Sequence, residues 1–410
     1  MQIVVQLVSI ASGILLVRTL NSHEYAYFTI ANAMFATIHI LADSGVGIGL
    51  TSIGGRVWQD PQRFGQLITT AMRLRRYLAA AAIVVVAPIF IWLLVSKEAS
   101  GLYAGMIALV VLVGLNSQLS VGVLMIVPRL HSQIGRVQKL DFLGAAARLV
   151  LLAAAYFIFL NAAVAIFATL FSILVQYFFL KRWVADSIEI NAPASSEDRS
   201  AIIKIVKSQL PNSIFYCIQG QVTIWLISIF GSTQNIAEIG ALSRLGVVVA
   251  VILSVMSGIV LPNLARCQSL SQLRRRYFQI IGAFIIFGLS LIFLAMAFPS
   301  QLLWILGSKY THLRSELVLM MLMTAVSSIL TAMVSINYTR AWIKHSWFNI
   351  PAVISTQLVL LLVLNVTTLS GVLWFGIFSF LPTLLLNAIL SYRGFEAMRL
   401  DQVAAPHALG

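Results

Sequence analysis

Apolar residues run along this chain in long stretches, and one polar interruption divides them. A helix needs about 20 apolar residues to cross a bilayer, and twelve stretches meet that need. They are Gln2–Leu20, Phe28–Ile53, Tyr77–Ser96, Leu102–Val127, Phe142–Leu160 and Ala162–Leu180, then Leu210–Phe230, Ile236–Leu261, Tyr277–Phe298, Glu316–Tyr338, Phe348–Leu369 and Leu373–Leu390. The interruption is Lys181–Lys207, which carries Asp186, Glu189, Glu197 and Asp198 beside five basic residues. Its Ala-Pro-Ala-Ser-Ser centre suits an exposed connector. The pattern predicts an all-α integral membrane protein of about 12 transmembrane helices in two six-helix halves, residues 1–180 and 208–390, joined by the connector at 181–207 and followed by a tail at 391–410.

Composition agrees with this reading. Only 10% of residues are charged and the mean hydropathy is +0.95, against roughly 25% charged in soluble domains. Cys217 and Cys267 stand apart and make no disulfide framework. His23, His39, His131, His312, His345 and His407 show no ligand spacing for a metal, and no cofactor is called for. A cleavable signal peptide is not expected at Met1, where the charged n-region and cleavage site are missing. An insertion signal normally follows Lys or Arg, which leaves room for residues upstream.

The net charge of +14 is topological rather than a sign of nucleic acid. Of 27 Lys and Arg residues, 21 fall in the loops after even-numbered stretches and in the tail, and 5 in or beside the loops after odd-numbered ones. By the positive-inside rule both termini and the connector face the cytoplasm.

The two halves also resemble each other. Arg75-Arg76-Tyr77 precedes the third stretch, and Arg275-Arg276-Tyr277 precedes the ninth. A polar or small stripe at Gln2, Gln6, Ser9 and Gly13 is matched by Asn212, Tyr216, Gln219 and Thr223, each keeping to one helix face and able to line a cavity. Copies of six helices would be related by an axis along the membrane normal, as in transporters.

Ionisable groups inside apolar stretches are candidates for function. His39 and Asp43, spaced i, i+4, form a candidate proton couple; the bland alternatives are a structural pair, or an Asp that caps a break before Gly45-Val46-Gly47-Ile48-Gly49. Arg148 lies beside Gly144-Ala145-Ala146-Ala147, about 10 Å from the helix end, where a guanidinium either binds cargo or snorkels to the headgroups. With Arg18 and Arg244 it would suit a diphosphate, because the guanidinium fork binds phosphate oxygens in pairs. The glycine-rich run has no strand before it, and no G-x-x-x-x-G-K-[ST] occurs, so ATP hydrolysis has no recognisable machinery. Residues Gly55–Gly65 match the loop signature of the major facilitator superfamily poorly, with Asp60 one place late.

Several motifs carry a family resemblance. They are Arg18-Thr19-Leu20, Glu24-Tyr25-Ala26-Tyr27-Phe28, Asp43-Ser44-Gly45-Val46-Gly47, Leu210-Pro211-Asn212, Ile239-Gly240-Ala241-Leu242-Ser243-Arg244, Leu261-Pro262-Asn263-Leu264-Ala265, and Ile305-Leu306-Gly307 with Tyr310. Together they resemble the Wzx-like O-antigen and polysaccharide flippases of the multidrug/oligosaccharidyl-lipid/polysaccharide (MOP) superfamily, along almost the whole chain. The resemblance implies a two-lobed fold similar to the multidrug-and-toxin-extrusion and MurJ transporters. It further implies a carrier, not an enzyme, in the bacterial inner membrane. That carrier would move an undecaprenyl-diphosphate-linked oligosaccharide from the cytoplasmic to the periplasmic leaflet, driven by an ion gradient and working beside other polysaccharide-assembly proteins. Arg18, Arg148, Arg244, Asn212 and Gln219 would bind the substrate, and His39 and Asp43 would couple ions. Two alternatives stand beside it. A drug or cation antiporter has the same architecture but would want carboxylates. A polysaccharide polymerase would want a large outer loop, whereas the longest here, Pro299–Ser315, has 17 residues.

Overall fold

The computed structural model describes residues 2–189, 192–256, 260, 261, 264, 267, 269–340, 342, 343 and 346–404, and among them every regular element is helical. In chain order the α-helices are α1 (Gln2–Thr19), α2 (Ser22–Asp43), α3 (Val46–Val57), α4 (Pro61–Ser96), α5 (Gly101–Leu124), α6 (Ile126–Leu130), α7 (Ile134–Ile158), α8 (Ala162–Val184), α9 (Ser196–Phe230), α10 (Thr233–Ser243), α11 (Val248–Val255), α12 (Leu270–Ala297), α13 (Pro299–Leu306), α14 (Arg314–Thr339), α15 (Asn349–Val363), α16 (Leu369–Ser379) and α17 (Leu381–Ala404). Eleven helical runs among the described residues are long and apolar enough to cross a membrane, and a twelfth, Val4–Thr19, is apolar but shorter. Each overlaps one of the twelve expected stretches. Of the sequence motifs, Pro262, Asn263 and Ala265 lie outside the described residues, as do the side chain of Gln2, His345, His407 and the end of the expected tail.

Polar caps set the helix starts. Asn21 Oδ1 accepts the Glu24 N–H at 2.8 Å, and Asn161 Oδ1 that of Val164 at 2.9 Å. Asp60 accepts from both Gln62 and Arg63 at 3.0 Å, with Pro61 pre-set for the first helical position. These caps correct several expected boundaries. Helix α4 begins at Pro61 rather than Tyr77, and α9 at the Ser195 cap rather than Leu210. The polar Lys181–Lys207 stretch is helical to Val184 and again from Ser196, and α17 continues to Ala404 through most of the expected tail. Hydropathy measures what lies in lipid, and helices go on past that limit wherever a cap starts them. Pro88 and Pro211 sit inside α4 and α9, an arrangement that neighbouring helices make tolerable in membrane proteins.

The second expected stretch breaks in its middle. Ser44 has φ +28° and Gly45 φ +98°, a backbone that favours glycine. A Cβ on Gly45 would also stand 3.0 Å from Cβ of Gln209 on α9.

Residue contacts divide the chain into two compact units, Met1–Gly240 and Ala241–Gly410. In the first, α5 packs on α8, α2 on α4, and α7 on both α8 and α1. One end of that unit is clamped by Glu24, whose Oε2 accepts from the Tyr103 hydroxyl and the Ala162 N–H, both at 2.6 Å. Nearby, Lys97 Nζ donates to the Gly231 carbonyl at the end of α9 (2.5 Å), and burial pushes its ammonium below the usual lysine range. The other end holds a bidentate ion pair between Arg63 of α4 and the buried Asp198 of α9. In the second unit α14 is central, touching α12, α16 and α17. There Asn337, Asn387 and Ser391 satisfy one another in a buried polar network at 2.8–3.0 Å.

Candidate functional site

The unit Met1–Gly240 encloses a charged group of three. Arg75 lies on the apolar stripe of α4 that also carries Phe64, Leu67, Ala71 and Ala79, and it is 4% exposed. One Nη reaches Oδ1 of Asp43 at 3.2 Å and Nε2 of His39 at 3.4 Å, both on α2. The other Nη approaches the Leu119 carbonyl at 3.5 Å. A guanidinium only donates, so His39 Nε2 is the acceptor and the ring proton sits on Nδ1. A Cβ on Gly122 would fall 2.3 Å from this second Nη, so glycine there gives the guanidinium its room. Asp43 accepts as well from the Gly47 N–H at 3.3 Å, capping the start of α3 across the break. Its side chain is 38% exposed against 5% for Arg75, so the pair opens on one side.

It opens into a cavity of about 990 Å³ lined by His39, Asp43, Arg75, Gln118, Arg129, Asp141, Gln176 and Ser213. A second cavity of about 350 Å³ shares Asp141 and Gln176 with it and adds Gln6, Ser9, Gln138, Arg148 and Thr169. Gln176 reaches the Leu140 carbonyl at 3.3 Å, and a Cβ on Gly144 would stand 2.0 Å from its Nε2. Glycine at 144 thus makes space for an amide. Three guanidiniums (Arg75, Arg129, Arg148) face two carboxylates (Asp43, Asp141) here, with four amides among them.

No protein-family model matches the chain, and no curated protein matches its sequence. Solved structures do match. An inward-facing multidrug resistance MATE family transporter of the MOP superfamily aligns over 97% of this chain and 95% of its own, with TM-score 0.69 and 18% identity. The same description in an outward-facing conformation gives TM-score 0.61 at 18% identity, over 97% and 92%. The MATE multidrug transporter DinF-BH, solved as a complex, gives 0.66 at 17% identity, over 95% and 92%.

The chain has the MATE fold.

Within the MATE fold of this chain, the expected site residues fare differently. His39 and Asp43 line the larger cavity and Arg148 the smaller. Gln6 and Ser9 of the expected α1 stripe line the smaller one too. Asn212 is exposed and Gln219 half-buried, and neither lines either cavity; Ser213 does so in their place. Arg18 is exposed in the last turn of α1. Arg244 opens a 3₁₀ turn between α10 and α11, half-buried in the second unit. Arg75, Arg129, Asp141, Gln118 and Gln176 escape a reading of the sequence. Hydropathy places the first three in loops; for Arg75 the signal is there in the Asp60-Pro61 helix start and the apolar stripe that follows it. Arg75-Arg76-Tyr77 and Arg275-Arg276-Tyr277, alike in sequence, sit in different surroundings: Arg75 is buried and Tyr77 exposed, while Arg275 is exposed and Tyr277 buried.

Proposed function

We propose that the chain is a membrane transporter of the MOP type that works by alternating access. The observation that carries this reading is the polar, charged cavity of about 990 Å³ inside a helical fold shared with transporters solved in inward- and outward-facing conformations. A water-filled polar cavity among membrane helices gives hydrophilic cargo a place that lipid denies it. Asp43 and His39 serve as its ion-responsive groups: a proton on His39 would remove an acceptor from Arg75, one on Asp43 would remove its counter-charge, and either would free the guanidinium for other partners.

Two cargoes are supported by different observations. The solved structures that share the fold are described as multidrug transporters, which favours a drug or cation exporter. On that count this reading is the better supported. The excess of guanidiniums over carboxylates, with Gln6, Gln118, Gln138 and Gln176 around them, favours a sugar-bearing diphosphate such as a lipid-linked oligosaccharide. Its translocation would run towards the periplasmic leaflet of a bacterial inner membrane.

Liposomes holding the purified chain separate the two. They are loaded either with a fluorescent cationic dye or with a labelled undecaprenyl-diphosphate oligosaccharide, with and without a pH difference. Gradient-dependent movement of the oligosaccharide, reduced about tenfold or more by Arg148→Ala, supports the flippase; movement of the dye alone assigns the exporter. Movement of neither removes the transport reading.

A further inference from the structure

A third pocket, about 380 Å³ in volume, lies in the unit Ala241–Gly410 between the start of α12 and the end of α17. Its two walls are single helix faces. Arg274, Tyr277 and Phe278 stand at i, i+3 and i+4 on α12, while Ala388, Tyr392 and Arg399 follow one another along α17. The floor is built rather than incidental: Tyr277, 6% exposed, donates to Ser391 at 3.1 Å and sets its ring edge-on to Phe395 at 5.2 Å. Ser391 in turn belongs to the buried network with Asn337 and Asn387. Arg274 sits 6.0 Å over the Phe278 ring, and among the described residues neither Arg274 nor Arg399 belongs to an ion pair.

Charge and apolar surface are sorted along the groove. Arg274 lies in the second turn of α12, and Arg399 closes the apolar run Leu369–Arg399, so both guanidiniums mark the water-facing end. Aromatic rings occupy the middle and Ala388 the deeper end. Glu396 beside the guanidiniums leaves the polar end with one net positive charge and one acceptor for a hydroxyl. The ligand that fits has a singly charged phosphate, a hydroxylated head and an apolar tail.

We infer that this groove binds an acidic glycerophospholipid, its phosphate between Arg274 and Arg399 and an acyl chain laid along Phe278 and Tyr392 towards Ala388. The groove shares no lining residue with the cavity of the first unit, and its lipid does not depend on which cargo that cavity carries. Guanidiniums near an anionic leaflet each strengthen attraction about fivefold, and the fork geometry directs it at phosphate.

The test is native mass spectrometry of the delipidated full chain, titrated with phosphatidylglycerol or phosphatidylcholine at equal concentration. Phosphatidylglycerol should be retained several-fold better. Arg274→Gln and Arg399→Gln should each lower its retention about fivefold and together more than tenfold. Arg393→Gln, also exposed on α17 but not lining the groove, should leave it unchanged. Ala388→Trp, at an exposed position, should block the chain and lower retention while leaving the melting temperature in place. Equal retention of the two lipids, or parental retention by the double variant, overturns the proposal. Displacement of the lipid by glycerol 3-phosphate at equal concentration assigns the pocket to a soluble phosphate and overturns it too.

Discussion

Arg75 has one carboxylate, one imidazole and one carbonyl around it, and each is spoken for by geometry. Its removal would leave Asp43 with the Gly47 N–H and cavity water. Since 38% of the Asp43 side chain is already exposed, Arg75→Gln should cost about 1–3 kcal/mol, less than the roughly 3–5 of a fully enclosed pair. Adding Asp43→Asn should cost little more, because the partner is already lost. Thermal melts of both single variants and the double variant in detergent give the coupling; strictly additive losses would mean that the pair contributes nothing to the fold. The sequence held this arrangement in part. His39 and Asp43 were visible as ionisable residues in an apolar stretch, but their partner was hidden 32 positions beyond Asp43, in a segment too polar to be taken for membrane. An ion pair between helices lets charge into the interior and at the same time disguises where the interior begins.

Among the elements, starts and stops were the least legible feature, and the start of α9 shows why. Ser195 accepts from the Asp198 N–H at 3.3 Å, so Asp198 stands in the first helical turn, where its charge favours the helix dipole. It also takes both ends of the Arg63 guanidinium, a contact across 135 positions that no local pattern announces. The Ser195 N–H reaches the Thr70 hydroxyl at 2.9 Å and the Glu189 N–H the Pro61 carbonyl at 3.1 Å, so the connector is fastened to α4 at three points. Asp198→Asn should therefore lower stability by about 1.5–3 kcal/mol and speed proteolysis within residues 185–195. Glu197→Gln, exposed one place earlier, is the control. Identical digestion rates for the two variants would count against the fastening. Helix identity, by contrast, was plain: twelve apolar stretches of sufficient length admit few other structures in lipid.

At the scale of the whole molecule, the membrane orientation rests on charge alone. The split of 21 to 5 in Lys and Arg predicts that reporter fusions after Ser195 and at Gly410 are active only with a cytoplasmic reporter. A periplasmic signal at either place would reverse the assignment. The two cavities were legible only as a stripe on α1 and a few polar residues on α2, because their remaining lining comes from helices α3 to α9, whose meeting is a property of packing. One dimension adds a mechanical consequence. Helices α4 and α9 have 36 and 35 residues, about 50 Å each at about 1.5 Å per residue, against a hydrocarbon core of about 30 Å. Both overshoot the core by about 20 Å, and the Arg63–Asp198 pair bolts their far ends together. The pair forms a lever arm: a tilt of about 10° at the bilayer midplane would sweep its tip through about 6 Å. Small rearrangements around Asp43 and Arg75 would arrive there magnified, in water, within reach of a spin label or a soluble partner.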